Sequence, residues 1–359
     1  MDAGIIAVVG LAGGAIGWFF NQYWQHRQAK RQASLDAGET LDQKKKQLEE
    51  MLSNEEDDDR QQVLRNQLDD VNHALLGLRT ERVRRALKEA NLPTEEILIA
   101  HGREQLSSEQ VINLEEAASE VDALPVTPSV EDLLALGSAY YYAGRYDRTL
   151  DVLNRSLELR PDNPIALMDR GVTYRHLGKY EKALVDYNRS LLLRPDYPNT
   201  LMNRGVLYYH MGRYEEALAD YNRSLELRPD NPDTLTNRGA IYLHLGRYGE
   251  ALADYNRSLE LRPDDPDTLT SRGATYDILG RYEEALADYN RSLKVKPDDP
   301  GTLYNVACLY SVQRKTDEAL DYLGRAINGD EKYRAMAKAD GEFNNIREDP
   351  RFKKLMEPD

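Results

Sequence analysis

The chain has 359 residues, 62 of them acidic and 47 basic, for a net charge of −15, and a single cysteine, Cys308. That charge opposes binding to nucleic acid or to an anionic membrane surface and leaves basic partners as a class it can select. One cysteine forbids an intrachain disulfide and fits a reducing compartment.

Gly4 to Phe20 is an uncharged, mainly apolar run. As a helix it reaches roughly 25 Å at 1.5 Å per residue, near the lower limit of a membrane span, about 17 residues. Both tryptophans, Trp18 and Trp24, lie here beside Tyr23, as an interfacial aromatic belt requires. Asp2 at the start and bulky aromatics at the end do not fit a cleavable signal peptide. Residues 1–25 are therefore predicted to be an uncleaved transmembrane anchor; a buried soluble helix is the alternative, and nothing nearby looks able to cover it. Arg27, Lys30, Arg31 and Lys44 to Lys46 come after the run. The positive-inside rule then predicts a single-pass membrane protein with its amino terminus outside and the rest cytoplasmic. Ala3, Ala7, Gly10, Gly14 and Gly17 form a smooth stripe on that helix. Small residues let transmembrane helices approach closely, so a homo-oligomer through the anchor and the stalk that follows it is expected.

Residues 26–95 read as a charged helical stalk with short coiled-coil segments. Leu64, Leu68, Val71, Leu75 and Leu78 are spaced 4, 3, 4, 3, a seam of about two heptads. Leu41, Leu48 and Met51 begin a similar pattern, and the acidic stretch Glu55 to Asp59 breaks the phase between them. The alternative for this segment is an amphipathic helix packing on the chain just beyond residue 128. Within 96–128 a helix is predicted over 108–123, capped by Ser108, before a linker from Pro125 to Pro128.

From residue 129 the chain repeats with a period of 34 residues. Asn-Arg-Ser recurs at Asn154, Asn188, Asn222, Asn256 and Asn290, and Gly-Arg-Tyr or Gly-Lys-Tyr at Gly144, Gly178, Gly212, Gly246 and Gly280. In the copy from Pro198, Leu201, Gly205, Tyr208 and Met211 make one helical face. Gly212 suits a left-handed helix end. Ala217, Leu218, Tyr221, Leu225 and Leu227 make a second helix, which Pro229 to Pro232 ends. Arg170, Arg204, Arg238 and Arg272 recur on the first helices and Asp186, Asp220, Asp254 and Asp288 on the second, which predicts an Arg–Asp ladder between them.

Gly205, Tyr208, Gly212, Tyr214, Ala217, Tyr221 and Pro229 resemble the signature of the tetratricopeptide repeat family. The resemblance covers 129–330 in six copies, starting near 130, 164, 198, 232, 266 and 300. In the worn sixth copy Arg314 replaces the turn glycine. It implies an all-α, right-handed solenoid of about six helix-turn-helix repeats behind the anchor and stalk. Residues 331–359 are expected to cap it, since solenoids need an end piece.

The resemblance also implies that positions 2, 5, 6, 9, 12 and 13 of each copy, counted from its leading proline or equivalent, face a concave groove that binds protein. Position 6 carries Asp169, Asn203, Asn237, Ser271 and Asn305, similar to the asparagine ladder of O-linked N-acetylglucosamine transferases, which implies amides bonding to an extended peptide. Positions 12 and 13 supply Tyr141, Tyr142, Arg175, His176, Tyr209, His210 and His244, residue types that anchor interfaces. The lysines with which other members grip chaperone carboxylates are missing from the matching positions.

His176, His210 and His244 stand one per repeat. Packed helices lie roughly 8–10 Å apart, too far for ligands that must converge at about 2 Å from one zinc ion. No metal or cofactor is expected. The Asn-Arg-Ser triplets match a glycosylation pattern, but duplication explains their mid-helix recurrence. The chain carries no phosphate loop, zinc-protease pair or nucleophile elbow. A non-catalytic scaffold or adaptor is expected, recruiting a cytoplasmic protein or peptide to a membrane. The alternatives are a receptor in protein transport, similar in layout to mitochondrial outer-membrane import receptors, and a soluble structural protein.

Overall fold

The computed structural model describes residues 36–90, 92 and 106–357, and all regular structure among them is helical. They fall into two compact units, one ending at Leu193 and one beginning at Arg194. The predicted anchor over 1–25 lies outside the described residues. Among the described residues no helix is long and apolar enough to cross a membrane.

The first unit opens with α1 (36–54) and α2 (Asp58–Glu89). Asp57 caps α2 by accepting from the Arg60 N–H, and Asp58 and Asp59 sit where the helix dipole favours negative charge. The acidic stretch is thus a tight joint. Arg79 of α2 reaches back to Asp42 of α1 at 2.8 Å, so the two helices fold into a hairpin. Helix α3 (Ser108–Asp122) packs on α2, with Ser107 in a capping box with Gln110; the cap is one residue earlier than the expected Ser108. The seam residues Leu64, Val71 and Leu75 are buried within the unit rather than presented to another chain. Helix α2 also packs on α4, and its Arg84 donates to Asp132 of α4 at 2.8 Å. This is the packing of an amphipathic helix on the first repeat. The reason is length: a seam of about two heptads makes a weak coiled coil, and the neighbouring α3 offers Leu114, Ala117, Ala118 and Val121 as a covering face.

Two helix pairs complete this unit, α4 (Val130–Tyr142) with α5 (Tyr146–Leu159) and α6 (Pro164–His176) with α7 (Tyr180–Leu193). The second unit has four: α8 (Pro198–His210) with α9 (Tyr214–Leu227), α10 (Pro232–His244) with α11 (Tyr248–Leu261), α12 (Pro266–Ile278) with α13 (Tyr282–Val295), and α14 (Pro300–Val312) with α15 (Thr316–Gly329). Each first helix from α6 onward opens on proline, whose missing N–H costs nothing there. Asn163, Asn231, Asp265 and Asp299 cap four of them. Each pair turns on a residue in the left-handed region. Gly212 has φ 71°, and Arg314 takes φ 59° without glycine's freedom.

Within a pair the helices touch through glycine and tyrosine. A Cβ on Gly205 would stand 2.6 Å from Cε1 of Tyr221, whose ring is buried beneath it. A side chain at that position would therefore push the helices apart. The Arg–Asp ladder is present in all four copies. Arg238 Nε and Nη2 each donate to Asp254 at 2.7 Å, and the same bidentate pair joins Arg170 to Asp186, Arg204 to Asp220 and Arg272 to Asp288. Arg247 also lies over the Tyr242 ring at 4.5 Å, so the rung is flanked by a cation–π contact.

After α15 the second unit closes with α16 (Lys332–Ala339), a 3-10 turn (Gly341–Phe343) and α17 (Pro350–Leu355). Phe343, Ile346 and Phe352 are buried against Leu303, Ala307, Leu323 and Ile327. They cover the apolar side that a seventh repeat would otherwise have covered.

Candidate protein-binding site

The repeat pattern places the candidate site on the first helices, and the two units treat those helices differently. In the first unit Tyr141, Tyr142, Asp169 and Arg175 are buried, with Tyr142 fully so. Open surface was expected at all four, and only the fifth candidate there, His176, is exposed. The reason is visible at α4. Helices α2 and α3 pack on it in addition to its own partner α5 and the next first helix α6, so nearly all of its side chains are covered. Tyr141 contacts the rings of Tyr142, Tyr146 and His176 at 5.5–5.9 Å, and Tyr146 lies 4.3 Å from His176. Below them the Tyr187 hydroxyl is driven well above its ordinary range by burial, against the opposing pull of the Arg175 guanidinium. These residues make an aromatic and polar core rather than an open groove.

The second unit keeps its candidates closer to solvent. Tyr209 is exposed, and so are His210 and His244. Tyr209 meets His210 and Tyr214 at 5.7 and 5.9 Å, and Tyr214 lies 4.4 Å from His244. They form an aromatic run along α8, α9 and α10. The position-6 residues divide. Asn203 is buried and its amide donates to the Asn199 carbonyl of its own helix at 3.0 Å. Ser271 donates likewise to the Asp267 carbonyl. Asn237 and Asn305 are half-buried, and their amides make no hydrogen bond to any described residue. A free amide at such a place can donate to and accept from an extended backbone.

Position 5 was expected to face the groove and does something else in the fourth and fifth copies. The Thr236 hydroxyl bonds Ser258 at 2.9 Å and Thr268 of the next repeat at 2.7 Å, and Thr270 does the same with Ser292 and Thr302. These threonines tie repeats together. The recurring serine and threonine at fixed spacing were a signal for this in the sequence.

The histidines join no cluster of metal-ligand geometry among the described residues. Cys308, Asp340 and Glu342 do bring their ligand atoms within 4.8 Å of one another. Burial and the Glu342 carboxylate push the Cys308 thiol far above its usual range, so it is held protonated rather than poised as a thiolate. Asp340 and Glu342 belong to the closing turn, which no repeat pattern could place beside α14.

The sequence profile of the tetratricopeptide repeat matches residues 162–230, 196–264 and 230–298. No curated protein matches the chain. Among solved structures it is similar to PilF of Pseudomonas aeruginosa, with a TM-score of 0.52 and 19% identity, covering 61% of this chain and 96% of that one. It is similar to PilW, a type IV pilus biogenesis factor, with a TM-score of 0.50 and 19% identity over 65% and 100% of the two chains. A third similarity is to a chain of the Cut9–Hcn1 hetero-tetramer, with a TM-score of 0.56 and 15% identity over 80% and 53%. At these identities the likeness is one of fold: helix pairs stacked in series. The profile matches, together with the 34-residue period, mark residues 162–298 as tetratricopeptide repeats.

Proposed function

We propose that this protein is a non-catalytic scaffold that holds a protein or peptide segment on the first-helix face of its second unit and is fixed to a membrane through residues 1–25. The observations that carry the binding part are the unbonded amides of Asn237 on α10 and Asn305 on α14, and the exposed Tyr209, His210 and His244 on α8 and α10. Amides of this kind recognise backbone and tolerate varied side chains, while the aromatic run supplies contact area at low entropic cost. Asn203 supports the helix beneath them rather than the ligand, and Tyr141, Tyr142, Asp169 and Arg175 shape the first unit.

The membrane part rests on the apolar run Gly4 to Phe20, its tryptophans and the basic flank after it. The same flank argues for a cytoplasmic array. Self-association through the small-residue stripe would raise the local concentration of binding faces.

Capture from a lysate by the wild-type chain and by an Asn237→Ala/Asn305→Ala variant tests the binding part. The variant should recover markedly less of a partner that the wild type retains, and equal recovery would sink the amide reading. Fractionation of the whole chain against one lacking residues 1–25 tests the anchor. A whole chain that stays soluble without detergent would remove it. The captured partners also separate a scaffold from a transport receptor.

A further inference from the structure

The repeats are so alike that their few differences carry information, and three of those on α7 fall in one line. Val185 stands where the third to fifth copies carry Ala219, Ala253 and Ala287. Leu192 stands where the third and fourth carry Glu226 and Glu260, and Lys182 replaces Glu216, Glu250 and Glu284. Lys182, Val185, Arg189 and Leu192 are spaced 3, 4, 3, so the changes share one face of the helix. That face is open: Val185 is 66% exposed and Leu192 80%.

The start of α7 also lacks a contact its counterparts make. In the third to fifth copies a guanidinium lies over the first-helix tyrosine at 4.4–4.5 Å: Arg213 over Tyr208, Arg247 over Tyr242 and Arg281 over Tyr276. Each of these arginines pairs with the glutamate three residues on. In the second copy the arginine is Lys179 and the glutamate Lys182, so that pair cannot form. Lys179 is exposed and makes no ion pair with a described residue, and Lys182 holds its ammonium 5.6 Å from the Tyr174 ring. A groove of about 340 Å³ stays open beside that ring, between Tyr174 of α6 and Glu181, Lys182 and Val185 of α7, above the Arg170–Asp186 rung. Two lysines against Glu181 leave its rim net positive, whereas Arg213 against Glu215 and Glu216 leaves the matching rim of the third copy net negative. Arg189 adds no free charge, since it pairs with Asp162 at 3.0 Å.

In a chain of net charge −15 a basic strip with exposed apolar side chains is a local reversal. A cation entering the groove would meet Lys182 where the other copies offer a glutamate. An aromatic or aliphatic side chain can instead lie on Tyr174 and Val185, and carboxylates beside it can pair with the two lysines. Leu192, seven residues or about two turns beyond Val185, offers the next apolar contact in the same line. We infer that this strip of α7 is a second docking surface, on the second-helix side of the first unit, and that it takes the apolar face of an acidic amphipathic helix from another protein. One side chain of that helix fills the groove at Tyr174, another lies on Leu192, and its carboxylates reach Lys179 and Lys182. A recess of this size admits one large side chain, which a protein presents and a lipid surface does not. The surface is independent of the amides proposed to bind in the second unit.

The probe is a blocked, alanine-based peptide of about 15 residues, long enough to be helical by itself, with two phenylalanines seven positions apart and glutamates flanking them. One control carries lysine for every glutamate, and another alanine for both phenylalanines. Methyl NMR on the whole chain reads Val185 and Leu192. The acidic peptide should shift both and bind at least about fivefold more tightly than either control, the scale of two partly exposed ion pairs. Lys179→Arg/Lys182→Glu installs the residues that the third copy already folds with. It should weaken the acidic peptide by about fivefold without lowering the urea midpoint. Leu192→Glu, also a residue of the third copy, should weaken it as well, whereas Asn237→Ala/Asn305→Ala should leave it unchanged. The inference is overturned by any of three results: no shift at about 1 mM peptide, a control that binds equally, or wild-type binding in Lys179→Arg/Lys182→Glu. Rival occupants would overturn it too. Signals that move with protein concentration alone would assign the strip to a second molecule of this chain. Phosphatidylserine vesicles whose effect on these signals disappears in Lys179→Arg/Lys182→Glu would assign it to a lipid surface.

Discussion

The Arg–Asp rung between α10 and α11 offers the sharpest test of how these repeats cohere. Arg238 donates twice to Asp254 at 2.7 Å and once to Asn222 at 2.8 Å, and the Asp254 side chain is only 8% exposed. The bond to Asp254 holds the guanidinium above even its ordinary range. Replacing Arg238 by Met leaves a buried carboxylate with no counter-charge. Breaking a buried pair from one side costs about 3–5 kcal/mol, and the 21% exposure of the arginine lets water recover part of that, so about 3 kcal/mol is expected. Arg238→Met/Asp254→Leu removes both desolvation costs together with their attraction. It should lie within about 1 kcal/mol of wild type, which makes the coupling about 2 kcal/mol or more. Urea unfolding tracked by circular dichroism gives the totals. Native-state hydrogen exchange at the amides of α10 and α11 supplies the local reading that a repeat array needs, because long arrays need not unfold in one step. If Arg238→Met costs under about 1 kcal/mol, or the double variant costs as much as the single, the rung is not a coupled ion pair. The ladder would then be ornamental.

Three further expectations rest on single positions. Gly205→Ala forces a Cβ to 2.6 Å from the Tyr221 ring and should cost about 2 kcal/mol in the same unfolding assay, with Tyr221→Leu restoring part of it. Arg314→Gly removes the strain of φ 59° and should stabilise the protein by about 1 kcal/mol, seen as a higher urea midpoint at an unchanged slope. Asp277 binds its proton more tightly folded than unfolded, so its contribution to stability should be present below pH about 4 and fade as pH rises through about 6. The wild-type urea midpoint should fall across that window relative to Asp277→Asn, and a flat difference would refute the assignment.

The repeat was legible in the residues because every element of it is local. Proline at the first helical position, an aspartate or asparagine before it and glycine at the turn each act within a few residues of their own site. The ladder was legible for a related reason: Arg238 and Asp254 are 16 residues apart, and duplication copied both partners together. The candidate site was legible only in part. Asn237, Asn305, Tyr209, His210 and His244 stand near solvent, while Tyr141 and Tyr142 occupy equivalent positions and are buried. Inside α4 the one hint is Ala135 and Leu136 at positions where the next four first helices carry a polar residue and an arginine, which marks a more apolar helix without saying what covers it. The difference comes from α2 and α3, which lie outside the repeats and cover α4.

The sequence by itself determined the helix pairs, their turns and the ion-pair rungs, since these depend on neighbours at fixed short separations. Tertiary structure alone decided which helix faces remain open. It turned the α2 seam inward, put Tyr142 into a core and laid the turn at Asp340 to Glu342 across the sixth copy. The physical reason is that burial is a property of a surface and whatever packs on it. The covering segments at both ends of the array repeat nothing, so their destinations are absent from the 34-residue pattern that specifies everything between them.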